Sequence, residues 1–130
     1  MRFREIIGEE AMLLSADRQE IPSVVYHGTR LSTWQDIISK EGLKPFAAGD
    51  DRAGRTWDRP FIFLSWAAYG AARYASNEIN SFEEGEKGVV LAITLTPQIA
   101  GKIRTKLGEF LRCPVAIPAS MIQVHKILNN

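Results

Sequence analysis

Tyr26-His27-Gly28-Thr29 is the segment of this chain best equipped for chemistry. It sets an imidazole, whose charge can change near neutral pH, beside a glycine that lets a ligand reach the backbone. Behind it in the chain come Gly42-Leu43 and Pro45, an arginine-bearing stretch with Arg52, Arg55 and Arg59, then Phe63-Leu64-Ser65 and Arg73-Tyr74-Ala75. Taken singly, each piece has a structural explanation; the order and spacing together point to a ligand site. Other chemistries are poorly supplied. There is no phosphate loop of the Walker type, no dinucleotide fingerprint and no nucleophile elbow. His27, His125 and Cys113 are the only soft metal ligands and none is near another in sequence, so no metal is expected. The run Glu83, Glu84 and Glu86 around Gly85 reads as a solvated loop.

The elements that must position these residues follow from hydrophobic periodicity. Phe3, Ile6, Ile7, Ala11 and Leu14 recur at helical spacing, so residues 1–22 read as an N-terminal helix over 3–14 and a linker ending at Pro22. Val24-Val25-Tyr26 starts a strand. Ser32 and Gln35 suit a capping box for a helix with Trp34, Ile37 and Ile38 on its apolar face and Gly42 at its end. Residues 44–60 lack apolar period and read as a long loop, of a length that in compact domains is usually functional or disordered. Phe61 to Leu64 reads as a buried-type strand, with Ser65 placed to cap a helix running to about Ser76. Gly88 to Leu95 is the strongest strand, stopped by Pro97; Glu109 to Cys113 and Ile122 to Leu128 read as two more. The order predicts one α+β domain over 1–130 with a mixed or antiparallel sheet.

Composition sets outer bounds. The chain has 130 residues, 16 Lys+Arg against 15 Asp+Glu, and 45% hydrophobic residues, which excludes disorder and fibrous or disulfide-framework classes. Residues 101–130 carry five Lys and Arg against the single Glu109, a mildly basic end. The lone Cys113 fits a reducing compartment. No signal peptide or membrane span is read from the sequence, so the cytosol is the expected location and no membrane partner is expected.

The order of motifs resembles the ADP-ribosyltransferase superfamily, in its histidine–tyrosine–glutamate branch of diphtheria-toxin-like and poly(ADP-ribose) polymerase-like enzymes. The likeness rests on Tyr26-His27-Gly28-Thr29, Phe63-Leu64-Ser65 and the Ala-x-x-Tyr-Ala helix ending at Ala75, and covers about Val24 to Ala75. The same skeleton is similar to the C-terminal lobe of RNA 2′-phosphotransferases. The resemblance implies a split β-sheet with short helices and NAD, as co-substrate, in the cleft between two small sheets. It implies that His27 bonds the adenosine ribose, the Gly28 backbone holds the nicotinamide carboxamide, Thr29 supports a ribose and Tyr74 stacks on the nicotinamide. Phe63 stands where the family often has a second tyrosine; Ser65 joins the cofactor contacts, and Arg52 or Arg55 meets the phosphates. The catalytic glutamate falls on Glu109, in Gly108-Glu109-Phe110-Leu111, although spacing to Pro118 equally places Arg112 there.

The implied function is mono-ADP-ribosyl transfer, cleaving the nicotinamide glycosidic bond and passing ADP-ribose to an unidentified acceptor. The alternatives are a non-catalytic NAD- or nucleotide-binding module of the same fold and an RNA 2′-phosphotransferase-like enzyme. For a nucleic-acid acceptor the support is the late basic block alone.

Overall fold

The computed structural model describes residues 12–45, 61–105 and 110–129. The stretch expected to be helical over 3–14 lies largely outside these residues, and its described end is not helix. Met12–Leu14 is a strand, β1, paired antiparallel with Glu20–Pro22, β2. Leu13 lies opposite the fully buried Ile21, while Met12 and Leu14 point out, a period of two rather than 3.6. The turn between them is held by side chains. Ser15 Oγ accepts from the Gln19 N–H at 3.1 Å and donates to Asp17 at 2.7 Å, and Arg18 takes a left-handed φ of 65°.

Val24–Arg30 (β3), Lys87–Thr94 (β5) and Ile122–Asn129 (β7) form a three-stranded sheet in the order β3-β5-β7. β5 is buried over six consecutive positions from Gly88 to Ile93, as its uncharged run requires. Its two faces meet different partners. Val89, Leu91 and Ile93 join Val25, Ile38, Leu64 and Leu111 in the main core, where each such buried side chain contributes about 1.5–3 kcal/mol. Val90 faces a smaller cluster with Ala71 and Ala75. Ile62–Leu64 (β4) and Leu111–Cys113 (β6) make a separate two-stranded ribbon. All these ladders are antiparallel.

The helices are short. Leu31–Thr33 (α1) runs through a π-helical turn, Trp34–Ile38, into Ser39–Glu41 (α2). Arg30, not Ser32, holds the N-cap position, and no side chain caps it. Ile38 is buried as expected, but Ile37 is 50% exposed, because the wider turn rotates it off the apolar face. Gly42 ends the segment at φ 78°, where a Cβ would lie 2.2 Å from the Ile117 carbonyl oxygen. The helix expected from Ser65 starts later, at Ala68–Ala72 (α3), because Ser65 remains in the sheet. Pro97–Ala100 (α4) is capped by Thr96, whose Oγ1 accepts from the Ile99 N–H at 3.3 Å. The architecture is α+β, with antiparallel sheets and few short helices. No helix among the described residues is long and apolar enough to cross a membrane.

Candidate functional site

The two sheets touch at one rung. The Tyr26 N–H donates to the Ser65 carbonyl at 3.0 Å, and the Ser65 N–H returns to the Tyr26 carbonyl at 2.7 Å. Continued antiparallel pairing would set Gly28 opposite Phe63. The His27 side chain reaches that carbonyl instead, with Nδ1 2.9 Å from the Phe63 oxygen. A side chain thus replaces a backbone rung, and β3 and β4 part beyond it. Since a carbonyl only accepts, Nδ1 carries the proton and Nε2 is left as the ring's acceptor. Burial pushes His27 below the usual 6.5, against the smaller opposing effect of the Phe63 carbonyl, so the ring is neutral at pH 7.

Gly28 is approached closely by the protein itself. The space its missing side chain leaves is filled by α3, since a Cβ there would lie 1.8 Å from the Ala71 carbonyl oxygen and 3.2 Å from Ala75 N. Gly88 is used the same way, at 1.6 Å from the Ala75 carbonyl oxygen. What remains for a ligand is the Gly28 backbone. Tyr26 sends its N–H and C=O off the β3 edge to Ser65, and by the alternation of a strand Gly28 sends its own off the same edge, into the opening.

The close seat of α3 also fixes Tyr74, which directly precedes Ala75. Its N–H bonds the Ala71 carbonyl at 3.0 Å, its carbonyl accepts from Asn80 Nδ2 at 2.7 Å, and its ring meets Phe110 edge-on at 5.3 Å. Phe110 is the residue after Glu109, so the chain next to that glutamate passes against Tyr74. Glu109 itself lies outside the described residues, as do Arg52, Arg55 and Arg59. Thr29 shares the face of His27 by strand alternation and lies opposite Val89.

Phe61 to Leu64 is buried on one face only. Ile62 and Leu64 enter the core with Leu111 and Cys113, whereas Phe63 turns outward, directly opposite Arg112. Arg112 stacks over Phe61, its guanidinium carbon 5.5 Å from the ring centre, and its Nε is buried without a hydrogen-bond partner. Ser65 contributes through its backbone bridge; its side chain is buried and does not cap α3. The Cys113 thiol donates to the Val115 carbonyl at 3.3 Å, and burial pushes its pKa up, which disfavours the thiolate. No group of three His, Cys, Asp or Glu among the described residues is placed to hold a metal ion.

His27 reaches the Phe63 carbonyl where β3 and β4 part, with Gly28 beside it in the strand, and Tyr74 is joined to the helix that fills the Gly28 space and to Phe110. Phe110 and Phe61 are two residues the sequence reading passed over. The signal for them was the alternation Phe61-Ile62-Phe63-Leu64 and Phe110-Leu111-Arg112-Cys113, with apolar and unlike residues on opposite faces. No protein-family model, curated protein or solved structure matches the chain.

Proposed function

We propose that this domain is an NAD-dependent mono-ADP-ribosyltransferase with an ADP-ribosyltransferase-like split sheet. The observation that carries the reading is the convergence at the parted β3 and β4 edges. His27 bonds the Phe63 carbonyl, Gly28 turns its backbone into the opening, and Tyr74 is packed between the Gly28 contact and Phe110. These are the residue types such chemistry needs, drawn from four separate segments.

In this reading the neutral Nε2 of His27 accepts from a ribose hydroxyl. The Gly28 N–H and C=O hold a carboxamide, which offers the complementary acceptor and donor. Tyr74 supplies a flat face for the nicotinamide ring, keeping the leaving group in line. Rupture of the nicotinamide C–N bond returns its electron pair to the ring and leaves an oxocarbenium-like ribose, and the acceptor's nucleophile then bonds that carbon and loses a proton. The carboxylate of Glu109, next to Phe110 in the chain, stabilises the developing positive charge.

The test is incubation with NAD labelled in the nicotinamide and, separately, in the adenylate. Released nicotinamide with label retained on an acceptor or on the protein supports transfer. Glu109→Ala should lower turnover by about 10²–10³ and leave NAD binding largely intact; wild-type turnover in that variant rejects the assignment. His27→Ala should raise the dissociation constant for NAD. The non-catalytic module is favoured by one observation, that Phe63 has no hydroxyl and faces Arg112 rather than a carboxylate; bound NAD without released nicotinamide would establish it.

A further inference from the structure

We infer that Arg104 and Arg112 form a phosphoryl-binding site on the outer face of the β4–β6 ribbon, and that the phosphate it holds belongs to the acceptor. The backbone places the two arginines side by side. The Arg104 N–H donates to the Arg112 carbonyl and the Arg112 N–H to the Arg104 carbonyl, both at 2.8 Å. Residues exchanging both bonds lie directly opposite, about 5.5 Å apart at Cα, with side chains on one face. Phe63 lies opposite Arg112 on its other side, so Phe63, Arg112 and Arg104 make one cross-strand row. The reverse face is the core, where Ile103, Leu111 and Cys113 are fully buried.

Like charges set opposite each other repel, and a buried Nε–H without a partner is rare, so an anion held between the two guanidinium groups would relieve the repulsion. Arg30 is paired to Glu86 at 2.8 Å and Arg73 to Glu78; no carboxylate among the described residues serves Arg104 or Arg112. The Nε of Arg112 is buried, so an anion would meet this guanidinium at its Nη groups, with the exposed Arg104 supplying the second set of donors. Phe61 covers the flat face of that guanidinium, which leaves its edge for the anion. Two cations suit a doubly charged phosphate better than a singly charged carboxylate, and Phe61 and Phe63 offer rings beside it for a planar group on the same ligand. The source of the phosphate rests on the transferase reading; the site itself does not.

The opening at His27 lies across Phe63, whose carbonyl serves that ring while its side chain serves this row. A phosphate held here would bring an acceptor to the edge of the NAD site without filling it. Inorganic pyrophosphate is the probe, titrated calorimetrically into the full chain at low ionic strength. Saturable binding that weakens with added salt is expected, with Arg112→Gln lowering affinity at least tenfold. Arg104→Glu, at an exposed position, should abolish binding and raise the melting temperature, because its carboxylate gives Arg112 a partner. That second variant keeps the test decisive if Arg112→Gln does not fold. No binding at several millimolar pyrophosphate, or unchanged binding in both variants, overturns the site. Repeating the titration with saturating NAD separates the sources: unchanged pyrophosphate affinity supports the acceptor assignment, and competition overturns it in favour of the dinucleotide's own phosphates. A chain that binds pyrophosphate but not NAD would refute the transferase reading and leave the site standing.

Discussion

Replacing Gly28 with alanine tests the contact on which the whole site is seated. The new methyl would lie 1.8 Å from the Ala71 carbonyl oxygen. Ordinary contact begins near 3.4 Å, so α3 must withdraw by about 1.6 Å, enough to forfeit well over half of the dispersion contact it makes there. The cluster lost is small but fully packed, with Ala71, Ala75 and Val90 at or below 1% exposure. Overpacking of this kind costs about 1–3 kcal/mol, and a backbone oxygen cannot rotate aside, so about 2–4 kcal/mol is expected. Gly85→Ala is the control, since it meets nothing within 4 Å and carries only the strain of φ 82°, about 1 kcal/mol. Gly88→Ala meets the turn that continues α3, at Ala75, so one withdrawal of this segment relieves both clashes and the double variant should cost clearly less than the sum. Urea denaturation of the wild type and the four variants reads the differences directly. A Gly28→Ala loss below about 0.5 kcal/mol, or strict additivity with Gly88→Ala, would refute the helix-seating argument.

Two titrations give further checks. Asp17 bonds the Ser15 hydroxyl at 2.7 Å and the Thr105 N–H at 2.8 Å. Slight desolvation raises its pKa, but these bonds outweigh it and lower the group from 3.8 to about 2. The folded carboxyl holds its proton less readily than the unfolded one, so its contribution is complete above about pH 5 and is lost as pH falls through 4 toward 2. Exposure keeps it below about 1 kcal/mol, and Asp17→Ala should flatten that part of the stability–pH profile. A profile identical to wild type would dismiss the role. His27 is a base depressed by burial, so acidification below 6.5 charges the unfolded state first and stability falls from there toward its lower folded value. Its ring resonances should titrate with a midpoint below 6.5; one at or above 6.5 would mean that the ring is not buried as described.

The strands that carry the site were readable from composition, through β-branched, aromatic and charge-free runs, rather than from a period. Val24-Val25-Tyr26 and Gly88 to Leu95 contain no charge and no helix-favouring spacing, and both are strands. Met12 to Leu14 is a strand where the helix read over 3–14 was expected to end, and the hairpin is decided by Ser15 and Asp17 in the turn. Ser65 looked like a helix cap, and its hydroxyl would serve as one, but two backbone bonds to Tyr26 outweigh one side-chain bond. At Gly28 the residue type was legible and its use was not. A glycine announces that something approaches closely, and only the tertiary fold shows that the visitor is Ala71. Glu109 was singled out by being the last acidic residue of the chain; the contact of Tyr74 with Phe110 is what ties its neighbourhood to the rest.

The bond from His27 to the Phe63 carbonyl has a thermodynamic consequence for whatever enters the opening. Two strand edges left side by side would zip together, and a ligand would then have to break backbone pairs before it could bind. Because an imidazole already occupies the place of the missing rung, those pairs never form and the folding reaction has met the expense of separation in advance. A ligand entering here therefore meets strand edges that need no opening, and His27 shapes this part of the fold through the ladder it interrupts.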